Sequence, residues 1–185
     1  MIGALGAGRG VGTTHLTIMI GNYLTNGLGQ KVALLELNRN NTYSKIRHMK
    51  CSKVRKACFE VKGMDFYEII SYEDIPKIMA NNYNYLILDV SSNYILGKNE
   101  FLRSHKKIVV GSLSKWKAQE YFNCFDNLQL LSEISACEFL SLSNDCEVFK
   151  IVKEKYRVQV NQIPFEQNPF YIGSNHMEWI RKIIN

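Results

Sequence analysis

Near the N-terminus, Gly6-Ala7-Gly8-Arg9-Gly10-Val11-Gly12-Thr13-Thr14 has the residue types and spacing to hold an anion. Glycine tolerates backbone angles that aim successive N–H groups inward, and a helix starting directly afterwards adds the positive end of its dipole. Together these make a nest for phosphate oxygens. The plainer alternative is a turn made glycine-rich for packing alone. Four glycines in seven residues, two threonines and an amphipathic helix argue against it. Thr14 adds a hydroxyl suited to a metal ion, and His15 an imidazole that either reaches a phosphate or packs at the helix start. Farther along, Glu36, Asn38 and Asp89 lie at the ends of aliphatic runs, and a simple strand-end cap is the plain account of Asp89. His48, His105 and His176 have no metal-ligand spacing.

These residues need elements to position them. Ile2–Leu5 is a short apolar run leading into the glycines. Thr14–Asn26 carries Leu16, Ile18, Met19, Ile20 and Leu24 at helical spacing, with Asn26-Gly27 as its stop. Val32–Leu37 is nearly continuous aliphatic, as in a strand covered on both faces. Strands are predicted at Tyr85–Val90, Lys107–Val110, Glu138–Leu142 and Val158–Val160, and Cys58–Val61 and the stretch around Phe66 are strand-like. Helices are predicted over Thr42–Met49, Glu73–Ala80, Lys115–Leu131, Asp145–Tyr156 and Asn175–Ile184. This alternation implies βαβ crossovers, hence an α/β fold with a mainly parallel sheet covered by helices on both faces. With no repeat, linker or low-complexity tract, residues 1–185 read as a single domain.

Composition narrows the class. With 46% apolar and 22% charged residues the chain reads as an ordinary globule, neither disordered nor fibrous. A net charge of +6 permits anionic partners such as nucleotide, nucleic acid or acidic lipid. The cations are spread out, with a modest cluster from Lys45 to Lys56, which favours a solvated face over a DNA- or membrane-binding patch. Five cysteines (Cys51, Cys58, Cys124, Cys137, Cys146) are an odd number without a CxxC pair, so reduced, mostly buried thiols are expected rather than disulfides or zinc. No apolar run reaches transmembrane length and the first residues lack signal-peptide character, so a cytoplasmic setting is expected. His176–Ile184 is amphipathic; a core-packing terminal helix is favoured over a tail lying on a membrane. Trp116 and Tyr121 are expected at the surface and the other aromatics in the core.

Two nucleotide motifs compete for the loop. The dinucleotide fingerprint G-x-G-x-x-G finds valine at its third glycine, although Glu36 occupies the acidic position at the end of the second strand. The phosphate loop G-x-x-x-x-G-K-[ST] finds Ala7 at its first glycine, Gly12 in place, Thr13 for the lysine and Thr14 for the hydroxyl. The wider order of segments favours the second. Gly10–Leu24 (GVGTTHLTIMIGNYL) resembles, without gaps, the loop and first helix of the MinD/ParA-type ATPases of the SIMIBI class. Lys31–Asn38 (KVALLELN) is similar to that family's second strand, which usually ends D-x-D. Tyr83–Val90 (YNYLILDV) resembles its Walker B strand, and Asn161–Phe170 (NQIPFEQNPF) its late Ile-Pro segment by the base pocket. Within that family the TadZ/CpaE branch has irregular phosphate loops, which this loop resembles.

The resemblance implies a P-loop NTPase, a Rossmann-like three-layer architecture, with ATP or ADP held by Gly8–His15, adenine near Asn144 and Pro164, and Mg at Thr14 and Asp89, with Glu36 acting through water. A helix N-cap is an equally good account of Asn144. It also implies a homodimer that positions or regulates a partner assembly, with DNA or the membrane surface as contacts in some members. Three departures bear on catalysis. The lysine that reaches across the dimer falls at Gly8, with Arg9 next door as a substitute. The Walker A lysine falls at Thr13, and the acid that positions water falls at Asn38, a weaker catalytic group. Phosphoryl transfer depends on positioning and charge stabilisation, so turnover should suffer more than binding. The expectation is a degenerate ATPase that binds nucleotide with weak or absent hydrolysis; the alternatives are a scaffold that binds none and, less favoured, a dinucleotide-dependent enzyme.

Overall fold

The computed structural model describes residues 1–185 apart from 39, 51, 52, 56, 69 and 93. Cys51 and Lys56, named above, lie outside the described residues. A nine-stranded sheet runs β3-β4-β5-β2-β6-β1-β7-β8-β9. Its strands are β1 (Ile2–Gly6), β2 (Val32–Glu36), β3 (Lys53–Val54), β4 (Phe59–Val61), β5 (Met64–Tyr67), β6 (Tyr85–Ser91), β7 (Lys106–Leu113), β8 (Cys137–Asn144) and β9 (Val160–Gln162). From β5 to β9 every neighbouring pair is parallel, and only the β3–β4 and β4–β5 pairs are antiparallel. The helices are α1 (Thr13–Asn22), α2 (Thr42–Lys50), α3 (Ile75–Met79), α4 (Tyr94–Leu102), α5 (Ala118–Leu130), α6 (Cys146–Tyr156) and α7 (Ser174–Ile184).

The period-2 geometry of a strand sends successive side chains to opposite faces, and here both faces are apolar. In β2, Val32 and Leu34 join one core cluster, while Ala33 and Leu35 join the other. β7 divides Ile108 and Val110 from Val109 in the same way. The first cluster takes Leu16, Met19 and Ile20 of α1, Tyr43 of α2, and Ile180 and Ile183 of α7. The second takes Ile75 and Ile78 of α3, Phe101 of α4, Phe125 and Leu128 of α5, and Val148 and Val152 of α6. The result is three layers, as the alternation of elements predicts. The apolar face of α7 is spent on the core, and no described helix is long and apolar enough to cross a membrane.

Five expectations need correction. The first helix stops at Asn22 and continues as a wider turn over Tyr23–Gly27, where the Leu28 N–H donates to the Tyr23 carbonyl at 3.1 Å, five residues back. Helix α4 was not expected, because Gly97 reads as a breaker; a Cβ there would collide with Val90, so the glycine lets α4 sit close on β6. Tyr121 is fully buried rather than superficial, its hydroxyl donating to the carbonyls of Val109 (3.2 Å) and Leu140 (3.0 Å), whereas Trp116 is 85% exposed. Among the described cysteines, which are unpaired, Cys146 is exposed; burial raises the thiol pKa of Cys124 and Cys137 to about 12. The last strand also lies two residues later than predicted.

Candidate nucleotide site

β1 lies between β6 and β7, and the chain leaves its carboxyl end as the glycine loop. The crevice outside the carboxyl ends of strands, where the direction of winding reverses, is where open α/β sheets place ligands. The Ala7 N–H donates to the Val110 carbonyl at 2.8 Å and anchors the loop's first residues to β7. Gly10 (φ 69°) and Gly12 (φ 82°) hold left-handed conformations that cost other residues energy. Gly12 is also the N-cap of α1: its carbonyl accepts from the Leu16 N–H at 2.9 Å, and no side chain caps the helix. The first-turn N–H groups of α1 are therefore free of side-chain competition for an anion.

A cavity of about 460 Å³ opens over this loop. Gly8, Arg9, Gly10, Val11, Gly12, Thr13, Thr14 and His15 form one wall, and Asn40, Thr42, Lys45, Ser91 and Ser92 the other. Every residue expected to contact phosphate is thus on the wall. A second cavity, of about 490 Å³, adjoins it and is lined by Gly12, His15, Leu142, Ile163, Pro164 and Phe165 among others. His15 belongs to both. Burial pushes its imidazole pKa below the ordinary histidine value, against the opposing influence of the Glu166 carboxylate and backbone. Asn144 is placed differently from expectation. It is exposed at the end of β8, and the N-cap of α6 is Asp145, whose carboxylate accepts from the N–H groups of Glu147 (3.0 Å) and Val148 (3.2 Å).

Beneath the loop sits a buried polar network. The Thr14 hydroxyl donates to Asp89 Oδ2 at 2.6 Å, and the Ser91 hydroxyl donates to Asp89 Oδ1 at 2.7 Å. Desolvation raises the Asp89 pKa, opposed by these two hydroxyls. A hydroxyl touching a carboxylate at the foot of a phosphate nest is the donor set that an oxygen-seeking Mg ion requires, so the residues present fit that ion. Asn38 uses both ends of its amide: Nδ2 donates to the Asp89 carbonyl (3.1 Å) and to Ser91 Oγ (3.3 Å), while Oδ1 accepts from the Asn40 N–H (3.0 Å).

Glu36, expected to act on the metal through water, pairs with Asp89 across β2 and β6 and, like Asp89, is fully buried and off the cavity wall. Its Oε1 accepts from the Thr42 N–H at 2.8 Å, and Oε2 has no partner among the described residues. Burial, partly offset by backbone donors and reinforced by Asp89, lifts its pKa to about 7. Glu36 is thus a strut under α2. It offers no exposed carboxylate to a ribose, which removes the observation behind the dinucleotide reading.

The dimer-spanning lysine's position, Gly8, is occupied from outside: a Cβ there would collide with the Glu120 carboxylate of α5. Arg9 is exposed on the cavity wall, and its carbonyl accepts from Lys117 Nζ at 3.3 Å. The opposite wall escaped sequence reasoning: Asn40, Thr42 and Lys45 enter it from just before α2 and from its first turn, and Ser91 and Ser92 from the end of β6, outside any motif.

No family model matches the chain, and no curated protein matches it in sequence. Solved structures do. MinD from Aquifex aeolicus superposes with a TM-score of 0.70 at 17% identity, over 99% of this chain and 96% of that one. A proposed plasmid partition protein from Borrelia burgdorferi B31, bound to AMPPNP, gives 0.66 at 17% identity, over 99% and 96%. The MinC:MinD complex of Aquifex aeolicus gives 0.68 at 14% identity, over 99% and 95%. Near-complete coverage of both partners at such low identity is a statement about architecture: this chain has the P-loop fold of the MinD/ParA-type ATPases.

Proposed function

We propose that the protein binds ATP or ADP with Mg at the glycine loop and hydrolyses ATP weakly or not at all, acting as a homodimeric positioning or regulatory factor for a partner assembly in the cytoplasm. The observation that carries the binding claim is the loop itself: two left-handed glycines lead into an uncapped helix over a 460 Å³ cavity, with Thr14 against Asp89 at 2.6 Å below it. Backbone N–H groups and a Mg site need no Walker A lysine to hold phosphates. When bound, Mg would neutralise phosphate charge, and Thr14 and Asp89 are the residues that would hold it. The hydrolysis claim rests on Asn38. An amide with both ends committed inside the protein is a poor orienter of attacking water.

Support for a nucleotide comes also from the structural relatives: the Borrelia protein holds AMPPNP, and an Archaeoglobus fulgidus nucleotide-binding protein of the same fold (TM-score 0.55, 12% identity) holds ADP. The partner role is by analogy with the MinC:MinD complex. Calorimetric titration with Mg·ATP, coupled to a phosphate-release assay, tests the reading. Saturable binding with little or no phosphate release is expected. No heat at millimolar ATP would leave the chain a scaffold whose loop is a relic.

A further inference from the structure

The phosphate cavity lacks the lysine that its loop would ordinarily supply, because position 13 is a threonine, 4% exposed. Something else must offset phosphate charge if nucleotide binds, since two buried carboxyl groups, Glu36 and Asp89, lie beneath the same cavity. Among the described residues on its wall, the side chains that can bring positive charge are Arg9, His15 and Lys45. His15 is shared with the adjoining cavity, which Leu142, Ile163 and Pro164 also line. Arg9 is exposed, as Lys45 is, and lies on the loop itself, where a second cation, Lys117 Nζ, stands 3.3 Å from its carbonyl.

Lys45 comes from a different element, and the geometry of α2 explains why it faces the cavity. Residues three apart share a helix face. Tyr43 and Ile46 form the inward face: Tyr43 is fully buried, and Ile46 packs on the same core cluster. Thr42 and Lys45 form the neighbouring face, and both line the cavity. Arg47 points elsewhere, pairing with Glu68 at 3.3 Å. Lys45 is exposed and makes no ion pair with a described residue, so no carboxylate competes for its charge. The helix carrying it is fixed from below by the contact from Thr42 N–H to Glu36 Oε1 and by the one from Asn40 N–H to Asn38 Oδ1. The two positions at which related ATPases usually carry acids here brace the segment that presents a cation.

We infer that Lys45 of α2 is the phosphate-binding cation of this site, taking from outside the loop the charge-neutralising part that Thr13 cannot play. The inference rests on the proposed nucleotide site and predicts a ligand with a polyphosphate chain rather than a monophosphate. An ammonium group on a flexible stem reaches phosphate oxygens as a point charge and needs no fixed fork geometry.

Titrations of Mg·ATP and of AMP into the full chain and its variants decide the matter. Lys45→Met is expected to weaken ATP binding about tenfold, the worth of one charge-assisted contact, and AMP binding less. Arg47→Met, one cation fewer on the same helix but turned away, is expected to stay within about twofold of wild type, as for an exposed ion pair. Circular dichroism of both variants should overlay that of wild type, since neither side chain is buried. Wild-type binding that Lys45→Met leaves unchanged, or that Arg47→Met weakens equally, overturns the role of Lys45 while keeping the nucleotide site. Wild type that takes no ATP overturns the functional reading itself, and this inference with it.

Discussion

The side-chain amide of Asn38 donates to the backbone carbonyl of Asp89 at 3.1 Å and thereby ties the end of β2 to the Walker B-like strand. Its other end accepts from the Asn40 N–H at 3.0 Å. Only a side chain that both donates and accepts can do this, which makes position 38 a fastening between β2 and β6.

Replacing Asn38 by Asp, the residue usual in related ATPases, is therefore expected to harm the protein rather than restore it. A carboxylate would face the Asp89 carbonyl with no proton to give, in a site only 2% exposed. The cost should be about 1–3 kcal/mol, the usual penalty for a buried acceptor facing an acceptor. Urea denaturation and a phosphate-release assay on Asn38→Asp check both halves: lower stability, and no gain in turnover.

Glu36 sets a pH dependence. Its pKa is about 7 in the folded chain and in the ordinary, lower glutamate range when unfolded. Between those values the folded state holds a proton that the unfolded state has lost. Stability should therefore decline as pH rises from about 4.5 to about 7 and level off above, as far as this group is concerned. Thermal unfolding across that range, compared with Glu36→Gln, isolates the contribution; the variant should lose that decline.

Gly12 tests the loop's conformation. Its φ of 82° penalises any Cβ, and the added atom would also press on Leu142 Cδ2 at 3.3 Å. Gly12→Ala is expected to cost about 1–2 kcal/mol of stability from the left-handed conformation alone. Nucleotide affinity should fall with it, because the cradle and the helix start share this residue. Denaturation and calorimetry on the same preparation read the two effects together.

Thr13→Lys asks whether the cradle still fits the part it lacks. The added ammonium should raise affinity for Mg·ATP by about tenfold, as one charge-assisted contact would. Unchanged affinity in the titration would mean that the loop is not shaped around phosphate.

Most of the architecture was legible in the sequence because the strands are buried on both faces and read as plain aliphatic runs. The ladder from β5 to β9 follows from that signal and from the helices between. What escaped was punctuated by small or polar residues. Helix α4 carries Gly97, whose lack of a side chain serves packing against Val90. The Lys62-Gly63 turn has φ values of 53° and 79°, the double left-handed pair of a tight hairpin, and it folds β4 back on β5 in an otherwise parallel sheet. For the site, the loop and Asp89 were readable because local motifs carry them. Lys45 was not, since its reach into the cavity depends on where Glu36 and Asn38 fasten α2. The support that Glu36 gives α2 was unreadable for the same reason: a carboxylate at a strand end looks available until the fold shows that a helix sits on it.

The contact between Gly8 and Glu120 sets the electrostatics of any side chain placed there. Glu120 is exposed and its carboxylate is the far end of a flexible side chain, so a lysine introduced at position 8 meets no steric bar. It meets a counter-charge instead, a carboxylate of its own molecule. Such a lysine would be tethered within its own chain, and freeing it would take the loss of the acid at 120 as well.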